Sequence, residues 1–204
     1  MCIRDSLCAR HDVEHVRTLT GFKWIMEPAA SRPDSNWVFG YEEALGYSVN
    51  SAVLDKDGIS AAVKFLEMIE TLDAVSLGPL ERLDELAFEI GLFVTHQASG
   101  QFDSITIESV LDALRITPPE EVDGSQIVAT IDWLEKPHPL TTNLIEFRSK
   151  DGLRIAIRPS GTEPKVKIYL EQTIPKPVGD LAALRSSCAE NLKSRGAATL
   201  SWFN

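Results

Sequence analysis

At Pro118-Pro119 the spacing of apolar residues changes from three and four to two, and this change constrains the fold more than any other feature of the chain. Before it, Ile59, Ala62, Val63, Leu66 and Ile69 recur at helical spacing behind Asp57, whose carboxylate can accept hydrogen bonds from the first free N–H groups of a helix. A second helix is expected after Gly78, with Pro79 in its first turn, Leu80, Leu83, Leu86, Ala87 and Ile90 on its apolar face and Gly91 as its stop. Residues 92–96 read as a short strand. Ile107, Val110, Leu111 and Leu114 mark a third helix, which must end before the prolines because a residue preceding proline is driven out of helical geometry. Beyond residue 125 the pattern alternates. Residues 127–131 and 144–147 read as strands and residues 149–152 as a polar turn. Ile155 and Ile157 oppose Val166, Ile168 and Leu170 across a polar loop, the pattern of a hairpin. Leu181, Leu184 and Leu192 mark one or two closing helices.

Upstream, residues 1–10 carry no sustained period and read as a non-native leader, since MCIRDS resembles translated sequencing-adaptor text. Residues 13–19 read as extended and residues 22–26 as a short helix after the break at Thr20-Gly21. Residues 37–41 read as a buried strand running into the acidic loop Glu42-Glu43. The expected organisation is therefore the leader, a partial α/β domain over 11–117, a linker over 118–125 and an α+β domain over 126–204. The fold class is α/β, a truncated mixed-sheet domain followed by a small domain with an antiparallel sheet and helices.

Hydrophobic residues at 44% and charged residues at 25% exclude a disordered or collagen-like chain. No apolar run approaches the roughly 20 residues that span a bilayer, and no signal-peptide start is present. Cys2, Cys8 and Cys188 lie far from any C-x-x-C spacing, which argues against a disulfide framework or structural zinc and fits a reducing cytoplasm. The formal charge of −10 disfavours nonspecific nucleic-acid or membrane binding. Residues 1–125 hold 22 Asp and Glu against 9 Lys and Arg, whereas residues 126–204 hold 8 against 11. That basic surplus suits a small anion, and it suits scatter in surface charge equally.

Three stretches could carry chemistry. Arg158 to Lys165, RPSGTEPK, offers a guanidinium that can fork onto two phosphate oxygens, the hydroxyls of Ser160 and Thr162, and Gly161, which lets backbone amides approach an anion. The same residues also make an ordinary Pro/Gly hairpin loop. Phe39 to Tyr47, FGYEEALGY, sets adjacent carboxylates among glycines, which suits acceptance of hydrogen bonds from vicinal sugar hydroxyls and equally a solvated acidic turn. Consecutive acids do not face a sugar from opposite sides, so glycosidic hydrolysis is the poorer reading. Asp55-Lys56-Asp57-Gly58 reads as a charged surface cap. Its functional reading is a phosphate-binding cation or a proton carrier, which requires the lysine's reference pKa of about 10.4 to be lowered. Asp-x-Asp is too short for a Mg²⁺ or Ca²⁺ loop. His11 and His15 lack a third ligand, and His96 and His138 lack a nucleophile at motif spacing, so no metal ligand is assigned. Nucleophile-elbow, Walker and dinucleotide motifs are absent.

Together with Thr18 to Ile25, TLTGFKWI, these stretches in this order resemble the C-terminal part of the α-D-phosphohexomutases, the phosphoglucomutase and phosphomannomutase family. The resemblance implies the end of the third and nearly all of the fourth of the family's four domains. It implies that Arg158, Ser160, Gly161 and Thr162 grip the substrate phosphate that is not transferred, that the loop at Glu42 and Ala44 binds sugar hydroxyls, and that Lys56 contacts substrate as a candidate proton carrier. Many members carry serine where Ala44 stands, and the form GYEEALGY resembles phosphoglucomutase-like and phosphopentomutase-like branches. The implied reaction passes through a phosphoserine and a hexose 1,6-bisphosphate with Mg²⁺. The serine and magnesium loops belong to the family's first two domains and do not occur here, so this chain alone is expected to be inactive. The rival expectations are a sugar-phosphate binding module without chemistry and an α/β interaction domain without a ligand.

Overall fold

A computed structural model describes residues 3–32, 34–42 and 44–204. The chain forms two compact units that divide between Glu85 and Leu86, one of Cys8–Glu85 and one of Leu86–Asn204 together with residues 3–7. The first described element is α1 (Ile3–Arg10), a helix where the sequence shows no period; Met1 and Cys2 of the expected leader lie outside the described residues.

In the first unit, residues 13–19, expected to be extended, carry no assigned secondary structure and join no sheet among the described residues. The helices α2 (Phe22–Ile25) and α3 (Glu27–Ser31) follow, and Phe22, Ile25, Met26 and Ala29 form a small buried cluster against which Trp37 packs. The strand expected over 37–41 is shorter and more exposed than its composition suggests. β1 (Gly40–Glu42) pairs only with β2 (Gly46–Ser48), in three antiparallel rungs, while Val38 and Phe39 are more than half exposed. With Trp37 drawn onto the Phe22 cluster, the backbone before Gly40 has no strand partner.

α4 (Gly58–Asp73) begins where the sequence places it. Asp57 accepts from the N–H groups of Ile59 and Ser60, satisfying donors that the first turn leaves open. No residue of α4 is buried, and Ile59, Val63 and Leu66 of the expected apolar face are all more than half exposed. α5 (Pro79–Ile90) ends at Gly91, which takes φ 114 and donates to the Ala87 carbonyl at 2.9 Å, a backbone geometry open to glycine and strained for other residues.

The second unit is a six-stranded antiparallel sheet of order β3-β8-β7-β6-β5-β4, with β3 (Leu92–Gln101), β4 (Glu121–Val122), β5 (Ser125–Asp132), β6 (Ile145–Ser149), β7 (Leu153–Pro159) and β8 (Lys165–Ile174). β3 runs five residues further than the alternation marks, because it pairs with β8 over its whole length. That pairing also explains why the division falls before residue 86 and not over 118–125. The strand upstream of the prolines belongs to the downstream sheet, and residues 118–125 are built into it through β4, with Val122 and Ser125 buried and the Ser125 hydroxyl donating to Asp151 at 2.8 Å.

One face of the sheet is covered by α6 (Ser104–Ile116) and by α7 (Leu181–Leu200), a single closing helix. Ile107 and Leu111 from α6 and Leu192 from α7 meet Ile145, Phe147, Ile155, Ile157, Val166, Ile168 and Leu170 in one core. Side chains alternate across strands, so Glu146, Arg148, Arg154, Ala156, Arg158 and Tyr169 project from the opposite face.

Candidate functional site

In the first unit three separated stretches converge. The Gly21 N–H donates to one oxygen of Glu42 at 3.1 Å, and the other oxygen lies 4.0 Å from the Lys56 ammonium. The Glu42 side chain is only 10% exposed, whereas that of Lys56 is half exposed. The Lys56 Nζ also stands 5.0 Å from the centroid of Phe22 and 3.5 Å from Asp55. Asp57 ties the lysine segment to the hairpin by donating its N–H to the Tyr47 carbonyl at 2.8 Å. The cap is electrostatically committed as well. The Ser60 hydroxyl, then its N–H, hold the Asp57 carboxyl below its usual value, and the Lys56 N–H does the same for Asp55.

Glu42 and Lys56 are thus neighbours. Ala44 sits at the exposed tip of the hairpin, beside Leu45 at φ 59; Glu43, the second acid of the expected loop, lies outside the described residues. Two further residues of these stretches, to which no role is assigned from the sequence, belong to the same arrangement. Phe22 supplies a ring face beneath the ammonium, and Gly46 leaves the space that Phe22, Glu42 and Lys56 fill: a Cβ on Gly46 would stand 2.5 Å from the Phe22 ring and 2.9 Å from both other side chains.

In the second unit Arg158 is the penultimate residue of β7. Beyond it the Ser160 N–H closes the hairpin onto the Lys165 carbonyl at 2.7 Å, while residues 161–164 are exposed. Gly161 takes no left-handed φ, and a Cβ there would meet nothing, so glycine at this position leaves space outside the chain instead of relieving crowding within it. The Arg158 guanidinium donates to the Tyr169 hydroxyl at 3.1 Å. The hairpin register, Arg158 opposite Lys167, brings the two side chains onto one face. Among the described residues no group of three or more His, Cys, Asp and Glu could hold a metal ion. No helix among them is long and apolar enough to cross a membrane.

The fold matches about a third of a phosphoglucomutase. The crystal structure of the exocytosis-sensitive phosphoprotein pp63/parafusin, a phosphoglucomutase of Paramecium in its open form, superposes with a TM-score of 0.66 at 18% identity, covering 96% of this chain and 36% of that one. Two family models match the sequence: phosphoglucomutase/phosphomannomutase alpha/beta/alpha domain III over residues 3–85, and the C-terminal domain of the same family over residues 112–191. The chain belongs to the phosphoglucomutase/phosphomannomutase family, the α-D-phosphohexomutases. A probable phosphomannomutase of Haemophilus influenzae is 36% identical over 81% of this chain and 33% of its own length. A phosphoglucomutase of Staphylococcus aureus is 29% identical over 83% of the chain and 34% of its own length, and a probable phosphoribomutase of Schizosaccharomyces pombe is 31% identical over 76% and 30%. The chain spans about a third of the length of these relatives.

Proposed function

We propose that the chain supplies the sugar-hydroxyl and distal-phosphate contacts of a phosphohexomutase, an isomerase that interconverts sugar 1-phosphates and 6-phosphates. In this reading a phosphoserine outside these 204 residues gives its phosphoryl group to the free hydroxyl of the sugar phosphate. The resulting bisphosphate turns over and returns its other phosphate to the serine, so no phosphate is consumed. Such transfer depends on positioning and charge neutralisation more than on covalent help from side chains. Glu42 and the loop at Ala44 take sugar hydroxyls, with Lys56 as the adjacent cation and proton carrier. Arg158, Ser160, Gly161 and Thr162 hold the phosphate that stays. Magnesium and the hexose 1,6-bisphosphate belong to this reaction, with the metal held elsewhere in the enzyme. The exposed stripe of α4 is the surface we assign to the remainder of the α/β/α domain.

The observation that carries this reading is the convergence of the Gly21, Glu42 and Lys56 stretches on a nearly buried carboxylate. A carboxylate shielded to that extent and still within 4.0 Å of a half-exposed ammonium is suited to sorting hydroxyl donors from acceptors. The purified chain is expected to convert no glucose 1-phosphate into glucose 6-phosphate in a coupled dehydrogenase assay, and measurable turnover would overturn that expectation. It is expected to bind glucose 6-phosphate, and Arg158→Ala to weaken that binding about tenfold, the lower end for a charge-assisted phosphate contact open to solvent. Equal affinities by calorimetric titration would remove Arg158 from the site. The probable phosphoribomutase among the relatives favours a second substrate class, and binding of ribose 5-phosphate more tightly than glucose 6-phosphate would establish a phosphopentomutase-like parent.

A further inference from the structure

Arg158 is held before any ligand arrives. Its guanidinium carbon lies 5.7 Å from the centroid of the Tyr169 ring, and one Nη2 hydrogen goes to the Tyr169 hydroxyl at 3.1 Å. Tyr169 is in register with Ala156 on β7, two residues before Arg158 and on the same face, so both contacts are fixed by the hairpin and not by the exposed loop. A guanidinium carries five N–H donors, and one spent on a hydroxyl leaves enough for a forked contact with two phosphate oxygens. Arginine on a free stem gives up rotamer freedom when it grips an anion; one already steered by a ring and a hydroxyl gives up less.

We infer that Tyr169 is a positioning residue for the phosphate grip of Arg158, acting through the guanidinium and without touching the substrate. This rests on the assignment of Arg158 under the proposed function. β7 and β8 are interior strands, each hydrogen-bonded on both sides, so the arginine is aimed by a doubly paired hairpin of the sheet. The loop that follows then needs only to bring its hydroxyls to a phosphate whose place is already set.

A double-mutant cycle on the full 204-residue chain, read by calorimetric titration with glucose 6-phosphate, tests this. Tyr169→Phe keeps the ring and removes the hydroxyl; it is expected to weaken binding about threefold, with the melting temperature unchanged. Tyr169→Leu removes both contacts and is expected to weaken binding further. In the Arg158→Ala background Tyr169→Phe is expected to have no effect, a result that a purely structural role for the tyrosine would not give. Unchanged or tighter binding in Tyr169→Phe, or the same loss in both backgrounds, overturns the inference while leaving Arg158 in place. Absence of binding by the unsubstituted chain, or unchanged binding in Arg158→Ala alone, overturns the Arg158 assignment and the role of Tyr169 with it.

Discussion

Glu146→Gln is expected to lower the stability of the second unit by about 3 kcal/mol at neutral pH, the lower end for removing one partner from a buried ionic group. The Glu146 side chain is fully buried on β6, and each of its oxygens is committed: Arg148 donates its Nε to Oε1 at 2.7 Å and Arg154 its Nη2 to Oε2 at 2.7 Å. Glutamine keeps the shape but turns an N–H group toward one arginine and removes the buried negative charge that the two guanidiniums share. The arginines are each about a third exposed, so water recovers part of the loss, which is why the upper end of the range is not reached. Burial alone would raise the carboxyl's pKa, but Arg154 and then Arg148 outweigh it and hold the group below its ordinary value of 4.5. A group with a depressed folded pKa stabilises above its unfolded pKa and loses that contribution as the pH falls through the folded one. The gap between the two proteins' urea midpoints is therefore expected to be full at pH 7 and to narrow progressively below about pH 4.5. A gap of equal size at pH 7 and pH 3 would count against the ionic account.

That carboxylate was invisible in the sequence, where Ile145-Glu146-Phe147 reads as an alternating strand with its polar residue turned outward. Alternation identifies which side chains share a face; it says nothing of what the other face becomes when long arginine side chains from β6 and β7 lie over it. The hairpin of β7 and β8 was legible because both strands carry clean alternation on either side of the Pro/Gly loop. The start of α4 was legible because a cap is a local interaction. Long-range pairing was not. Nothing in residues 92–96 announces that the strand continues to Gln101 beside β8, so the division between units was expected some thirty residues too far along. At the candidate site, motif residues could be singled out one by one. The coincidence of Gly21, Glu42 and Lys56 at one carboxylate depends on the turn of a three-rung hairpin, and that geometry has no signature in spacing.

Gly46→Val is expected to cost the first unit about 3 kcal/mol, the upper part of the range for overpacking, and to abolish measurable glucose 6-phosphate binding at the Glu42–Lys56 pair. Even the first added carbon would stand 2.5 Å from the Phe22 ring, 2.9 Å from the Glu42 Cγ and 2.9 Å from the Lys56 Cδ. The lysine can swing away, being half exposed, and doing so removes it from the carboxylate. Glu42 cannot move without breaking its bond from the Gly21 N–H, and Phe22 is 3% exposed and anchored in the only buried cluster described for this unit. Any relaxation therefore either dismantles the site or disturbs the core behind it. The two losses separate experimentally. Lys56→Met, which removes the ammonium and keeps much of the stem, is expected to weaken binding with little change in the urea midpoint, while Gly46→Val lowers both. If Gly46→Val retained wild-type stability and affinity, the close packing of Phe22, Glu42 and Lys56 around this glycine would not be what holds the sugar-binding pair together.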